Sequence, residues 1–413
     1  MISRTAPFAS LLLAVACASR AIPADGPPAA KYDPSTFRGG PARTGDLGGL
    51  GLPARGQLIW RFDFDQGLGD PVVADGIVYV CGSEGSIFAI RADGSALVWQ
   101  DDRPNRRFAD APTVAGDRIY VATDQGLSAL ARDGGKAAWD YTIVGGASES
   151  SPLVVGGLVL VAGYDGSVHA VKAADGSRAW KLDIVKDAPP PPPGFDPKRA
   201  VIAGNAARPR TMASDGSTAF LPIFDQSRVV AVDVATGKRR WSTPTKGWMY
   251  AEPTVSGDDV FVTSQDRSLY CLDRATGEAR WSFPTRWRVE SGVAVRDGSA
   301  YFGSCDGFFY RVDIKTGKAV WSFETPKGDD GKHFPIYSSP IASDALACFG
   351  SFDGHVYALK TADGSVAWKV RPVDGGEVSS SPVTDGRFVI ATVRFDQFKK
   401  AGANALVGIG EPK

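Results

Sequence analysis

Tryptophan recurs through this chain at a nearly constant interval. Trp60, Trp99, Trp139, Trp180, Trp241, Trp281, Trp321 and Trp368 are 39, 40, 41, 61, 40, 40 and 47 residues apart. A period near forty residues restricts the fold to an array of one small unit, because each unit is too short to hide its own apolar surface and must stack on neighbours. The two long intervals hold insertions, one with consecutive prolines from Pro189 to Pro193 and the other over residues 324–334.

Each unit carries the same punctuation. In residues 251–281 a short apolar run ends at Ser256-Gly257-Asp258, a β-rich run follows to Asp266-Arg267, a third ends at Thr276-Gly277, and Trp281 opens a fourth. The first turn recurs as Asp75-Gly76, Gly116-Asp117, Gly156-Gly157, Asp215-Gly216, Asp297-Gly298 and Asp385-Gly386. The second recurs as Glu84-Gly85, Asp165-Gly166, Asp306-Gly307 and Asp353-Gly354. Such pairs suit tight hairpins, since both central residues tolerate positive φ. Alternating apolar residues between them predict half-buried strands. Four antiparallel strands per unit make a propeller blade.

Seven complete units run over residues 69–369, and an eighth, over 378–410, has strand signals but no Trp. A spare strand with a Trp lies at the other end of the chain, Gln57-Leu58-Ile59-Trp60-Arg61-Phe62. The expected fold is therefore all-β, an eight-bladed β-propeller with four antiparallel strands per blade, the N-terminal strand completing the last blade. An open solenoid leaves residue 60 unexplained. The flat indoles are suited to covering apolar surface between blades while their N–H groups find backbone acceptors, so the eight repeating Trp residues are read as structural docking residues.

Composition narrows function. Lys+Arg and Asp+Glu cancel at 46 each, which excludes a nucleic-acid binder that relies on phosphate contacts. No apolar run reaches the ~18–20 residues of a membrane span, which excludes a polytopic protein built of such spans. Ten Trp stand against three His. His169, His333 and His355 fall in different units without metal-ligand spacing, and no G-x-S-x-G nucleophile turn occurs. No catalytic, cofactor-binding or metal-ligating residue is therefore assigned, and no cofactor is expected. Cys81, Cys271, Cys305 and Cys348 fall in blades that cannot bring them within the ~7 Å a disulfide needs, so free thiols are expected.

Residues 1–16 read as a secretory signal: Arg4 precedes an apolar stretch ending Ala14-Val15-Ala16. Cys17 follows directly and is the expected lipid attachment site, ordinary cleavage after Ala16 or near Ala21 being the alternative. Residues 17–36 are an Ala/Pro-rich tether, and residues 37–410 the propeller. The expectation is an exported, periplasm-facing protein anchored in the outer membrane through the lipid alone.

The run Ala231-Val232-Asp233-Val234-Ala235-Thr236-Gly237-Lys238-Arg239-Arg240-Trp241 resembles the tryptophan-docking repeat of PQQ-like eight-bladed propellers, with a close copy at Arg311 to Trp321. Phe37-Arg38-Gly39-Gly40-Pro41-Ala42-Arg43-Thr44-Gly45 looks like the lead-in segment of stand-alone members. The family holds quinoprotein dehydrogenases, which bind PQQ and calcium, and non-enzymatic scaffolds typified by the outer-membrane assembly lipoproteins (the BamB-like group). The enzymes generally carry adjacent cysteines over the cofactor, and some a C-x-x-C-H haem site; this chain has neither. The resemblance thus implies a scaffold with a protein partner, the β-barrel assembly machinery of the outer membrane, and the chain is expected to be a monomer. A PQQ/calcium dehydrogenase and a small-ligand or glycan-binding propeller are the alternatives.

Connections between blades and turns between second and third strands emerge on one face. The longest connections, over residues 101–110, 182–210 and 322–337, crowd it. The candidate partner-binding face comprises Arg106, Arg107, Phe108, Trp248, Tyr250, Arg286, Trp287, Arg288, His333 and Tyr337, since Arg, Trp and Tyr dominate binding hot spots. Asp70, Asp110, Glu252 and Glu290 are expected around the central channel, as cation ligands or as groups paired with Arg. The Pro189–Pro193 run is read as a stiff spacer or docking arm.

Overall fold

The computed structural model describes residues 38–103, 106–108, 110–184, 210–395 and 404–412. Eight separate four-stranded antiparallel sheets follow one another. Blade 1 consists of Val72–Ala74, Ile77–Cys81, Ser86–Arg91 and Leu97–Asp102. Blades 2 to 7 repeat that order, with innermost strands at Thr113–Ala115, Leu153–Val155, Ala213–Ser214, Thr254–Ser256, Ala294–Arg296 and Ile341–Ala342. Blade 8 takes Val383–Thr384, Phe388–Val393 and Asn404–Gly410 from the C-terminal end, and its outer strand is Gln57–Phe64. That strand pairs along its length with the C-terminal one, Gln57 opposite Gly410 and Phe64 opposite Asn404. The predicted ring closure is present.

Hairpin chemistry follows the turn residues. Asp75-Gly76 (φ 48° and 74°) and Asp297-Gly298 (φ 46° and 70°) hold two successive left-handed residues, the geometry that matches strand twist in a two-residue loop. Burial falls outward: the Ile77–Cys81 strand is almost wholly buried, whereas the outer strand Leu97–Asp102 is exposed along most of its length.

The core is not one mass. Eight apolar clusters each lie in one seam between adjacent blades, from Tyr79 and Ile119 between blades 1 and 2 to Val78 and Leu406 between blades 1 and 8. Each blade therefore depends on both neighbours for its burial.

The tryptophans fasten these seams by a repeated device. In every blade a register shift between third and outer strands directly precedes the Trp. An extra residue there re-aims the following side chain. Each indole then lies on a glycine of the next blade: Trp60 on Gly94, Trp99 on Gly135, Trp139 on Gly176, Trp180 on Gly237, Trp241 on Gly277, Trp281 on Gly317, Trp321 on Gly364 and Trp368 on Gly56. A Cβ on any of these glycines would meet the ring at 2.3 to 2.9 Å. Seven indoles donate to the carbonyl three residues before that glycine, at 2.7 to 3.2 Å. Trp60 differs: its N–H is buried without an acceptor among the described residues. In the turn it faces, the Arg91 carbonyl already accepts from Gly94 N, whereas in blade 2 Gly135 bonds one residue further back, to Ala131.

Candidate functional site

The N-terminal segment runs along the inside of the ring. Carbonyls of Pro41, Ala42, Thr44 and Gly45 accept from the backbone N–H groups of Ser214, Val255, Val295 and Ala342, on the innermost strands of four successive blades. Its two arginines, each only 1% exposed, reach into the channel. Arg38 pairs with Glu252 at 2.7 Å and donates to the Pro340 carbonyl at 3.0 Å. Arg43 donates to the Met212 and Pro152 carbonyls, and burial lowers its pKa to about 10. The sequence marked this segment as a family feature but carried no sign that its arginines are buried on the inner side of the ring.

The four channel carboxylates have different hydrogen-bond and ion-pair partners. Glu252 is held by Arg38, while Glu290 meets Arg288 at 3.0 Å and accepts from Gln265 at 2.6 Å. Asp70 accepts from Ser381 N at 3.1 Å, and Asp110 from Ser151 Oγ at 3.2 Å. Burial and the neighbouring Asp110 push the Asp70 pKa up to about 7, and burial raises that of Asp110. Among the described residues no group of three or more His, Cys, Asp or Glu could hold a metal ion.

The loop-rich face resolves into three patches. In the first, Phe224 meets Trp248 at a 40° tilt with ring centres 5.0 Å apart and Tyr250 edge-on at 4.6 Å, while the Arg210 guanidinium lies 5.0 and 5.2 Å from the Phe224 and Tyr250 rings. Sequence reasoning missed Phe224 and Arg210. Phe224 occupies a short 3₁₀ turn that replaces the Asp-Gly hairpin of other blades, so no turn signal drew attention to it.

The second patch lies around Trp287, which is 52% exposed. Trp287, Arg288, His333 and Tyr337, four of the predicted residues, line one cleft of about 450 Å³ together with Cys305 and the loop over 328–335. Arg267 covers one side of the indole, its guanidinium 5.4 Å from the ring centre, and Arg286 lies 4.2 Å from the Phe308 ring. Burial pushes the Cys305 thiol up to about 12, which disfavours a reactive thiolate.

The third patch departs from expectation. Arg106 is spent on Asp140 at 2.8 Å, and Phe108 is buried in the seam between blades 1 and 2, so of this trio Arg107 alone stands exposed. Phe108 is apolar enough to finish the seam, and its backbone bridges to Thr123.

Of the remaining histidines, His169 is buried between the Tyr141 hydroxyl and Asp165, and His355 sits beside Asp353. Cys81, Cys271, Cys305 and Cys348 are free thiols. Cys271 stands directly opposite Trp281, where other blades place Ala or another residue. The readings for residues 1–36, including the signal, Cys17 and the tether, and the Pro189–Pro193 run lie outside the described residues.

Comparison with known proteins adds a lineage. The PQQ_2 family model, described as outer membrane protein assembly factor BamB, matches residues 50–190, 83–247 and 225–397. The outer membrane protein assembly factor BamB of Yersinia pestis is 32% identical over 145 residues, 31% of this chain and 37% of that protein. Its counterpart in Burkholderia pseudomallei is 28% identical over 191 residues, 46% of each chain. The quinohemoprotein alcohol dehydrogenase ADH-IIG of Pseudomonas putida is 27% identical over 169 residues, 40% of this chain and 21% of that enzyme. The chain thus aligns with less than half the length of these relatives. Among solved structures, BamB of Moraxella catarrhalis superposes with a TM-score of 0.66 at 17% identity, covering 86% of this chain and 98% of that one. The quinohemoprotein alcohol dehydrogenase of Comamonas testosteroni superposes at 0.74 with 16% identity, covering 93% and 82%. At such identities the likeness is one of fold.

Proposed function

We propose a scaffold role from one premise: the chain belongs to the PQQ_2 family of eight-bladed propellers, whose model bears the BamB description. In this reading it is a non-catalytic, periplasm-facing propeller, anchored by a lipid on Cys17, that holds a protein partner on its loop-rich face during outer-membrane protein assembly. The carrying observation is the contrast between axis and rim. On the inner side the N-terminal segment and its buried arginines are tied to the innermost strands of blades 4 to 7, while the rim presents Tyr250, Trp287 and Arg107 on loops fixed by a rigid ring. Loops already held in place lose less entropy on binding than free ones.

The dehydrogenase relatives raise the question of PQQ and calcium. The residues at the axis do not fit that pair. Glu252 already balances Arg38, and among the described residues no three His, Cys, Asp or Glu come together as a set of metal ligands.

Photo-crosslinking residues placed at Arg107, Tyr250 and Trp287 in native envelope membranes test the reading, with Val98 on an outer strand as control. The expected result is one shared component of the outer-membrane assembly apparatus from at least two rim positions and none from Val98. Adducts from Val98 alone, or dye reduction by the purified protein given PQQ, calcium and an alcohol, would overturn it.

A further inference from the structure

We propose that the cleft beside Trp287, which lies on the rim, also binds a neutral saccharide, a second ligand besides the protein partner read for Arg107 and Tyr250. Trp287 is the most exposed aromatic residue among the described ones, and Arg267 already occupies one side of its ring. The indole is thereby braced on one side by Arg267 where it lines the cleft. An electron-rich indole face attracts the C–H bonds of a sugar ring, which carry partial positive charge.

The cleft walls select against other classes. Arg288 and Lys332 stand on one side of the balance, Asp329 and Asp330 on the other. An anionic ligand would meet the aspartates, and a cationic one the arginine and lysine. An apolar ligand would strip water from all four without replacing their hydrogen bonds. Sugar hydroxyls both donate and accept, so they match a wall that mixes cationic donors with carboxylate acceptors. The volume of about 450 Å³ lies within the range of small-molecule sites.

The walls are also fixed beforehand. Arg288 is held by Glu290 at 3.0 Å and by a hydrogen bond with Tyr337. His333 Nδ1 donates to the Thr325 carbonyl at 2.7 Å, and its Nε2 faces Glu324 at 2.8 Å. Asp330 accepts from Lys332 N at 3.0 Å, and Gly328 N donates to the Lys332 carbonyl at 2.8 Å, closing the loop on itself. Binding therefore leaves Arg288, His333 and the loop backbone in place, and only the exposed Lys332 and Asp330 side chains have to adjust.

The test uses the purified full chain with N,N′-diacetylchitobiose and maltotriose as probes, read by intrinsic Trp fluorescence and by saturation-transfer NMR. A saturable response to at least one sugar is expected, with signal transferred from indole protons. Trp287→Ala should weaken it about tenfold, Trp287→Phe should keep most of it, and Val98→Ala, on an outer strand away from the cleft, should leave it unchanged. Absence of a saturable response to both sugars overturns the proposal, as does equal binding by Trp287→Ala. So does a response displaced by an oligoglutamate peptide at lower concentration than by either sugar. Since no partner protein is present, failure here leaves the crosslinking result on the rim untouched, and the reverse holds.

Discussion

The Trp368 indole donates its N–H to the Pro53 carbonyl at 2.7 Å, joining residues 315 positions apart. Pro53 and Gly56 occupy the places that the turn before the outer strand fills in the other blades, so the lead-in to Gln57–Phe64 replaces a hairpin that blade 8 lacks. The ring is sealed by sequence from both ends, and Glu411 reinforces the join by accepting from Arg55 N at 3.0 Å.

Gly56 should therefore be intolerant of a side chain. A Cβ there would stand 2.5 Å from the Trp368 ring, which forces the seam between blades 7 and 8 apart. Gly56→Ala is expected to destabilise by about 1–3 kcal/mol and to lower the thermal midpoint by several degrees. Gly49→Ala, where nothing lies within 4 Å, should have little effect. Calorimetry on both variants checks the contrast, and equal midpoints would refute the closure argument.

The eight docking tryptophans are not equivalent. Trp281 donates to the Ile314 carbonyl at 2.8 Å, whereas the buried Trp60 N–H has no acceptor among the described residues. Replacement by Phe removes the N–H and keeps most of the ring. Trp281→Phe leaves a carbonyl unsatisfied and should cost about 1 kcal/mol more than Trp60→Phe. Urea unfolding measures the difference, and a larger loss for Trp60→Phe would mean that its N–H is satisfied after all.

The ring was legible in the sequence because its parts are local. The Asp-Gly turns and the Trp interval each report on a few consecutive residues, and the unpartnered strand around Ile59 needed only counting. The site was less legible because its geometry is relational. Trp287, Arg288, His333 and Tyr337 meet in one cleft since topology puts successive inter-blade loops side by side, which the reading of a common face anticipated. Phe108 lies on the same kind of loop and yet turns inward to finish a seam. Nothing in its neighbours distinguishes the two cases. Arg38 and Arg43 were invisible as axial groups for the same reason: their partners are more than a hundred residues away, in blades 3, 4, 5 and 7.

Asp70 should make stability depend on pH. Its folded pKa is raised to about 7 by burial and by Asp110, above the unfolded value near 4. The folded state thus favours the protonated form. The contribution to stability is fully present below about pH 4 and is lost as pH rises through about 7. Asp70→Asn, which can still accept from Ser381 N, should match the wild type at pH 4 and exceed it at pH 8 by up to about 4 kcal/mol, at about 1.4 kcal/mol for each pH unit between the folded and unfolded pKa values. Denaturant unfolding across that range decides the matter. A variant less stable than wild type at pH 8 would show Asp70 to be a needed anion.

Arg38 and Glu252 should behave as a buried pair whose halves cannot be removed singly. Both are at most 5% exposed and meet at 2.7 Å. Arg38→Met strands a carboxylate in the channel and should cost about 3–5 kcal/mol. Glu252→Gln leaves the guanidinium its bond to the Pro340 carbonyl and should cost less. The double variant Arg38→Met with Glu252→Gln removes both charges and should recover a large part of the Arg38→Met loss, since desolvating two ions offsets much of their attraction. A double-mutant cycle by equilibrium unfolding measures the coupling. Simple additivity of the two single losses would show that the pair does not act as a unit, and that the lead-in segment is held in the ring by its backbone bonds to Ser214, Val255, Val295 and Ala342 instead.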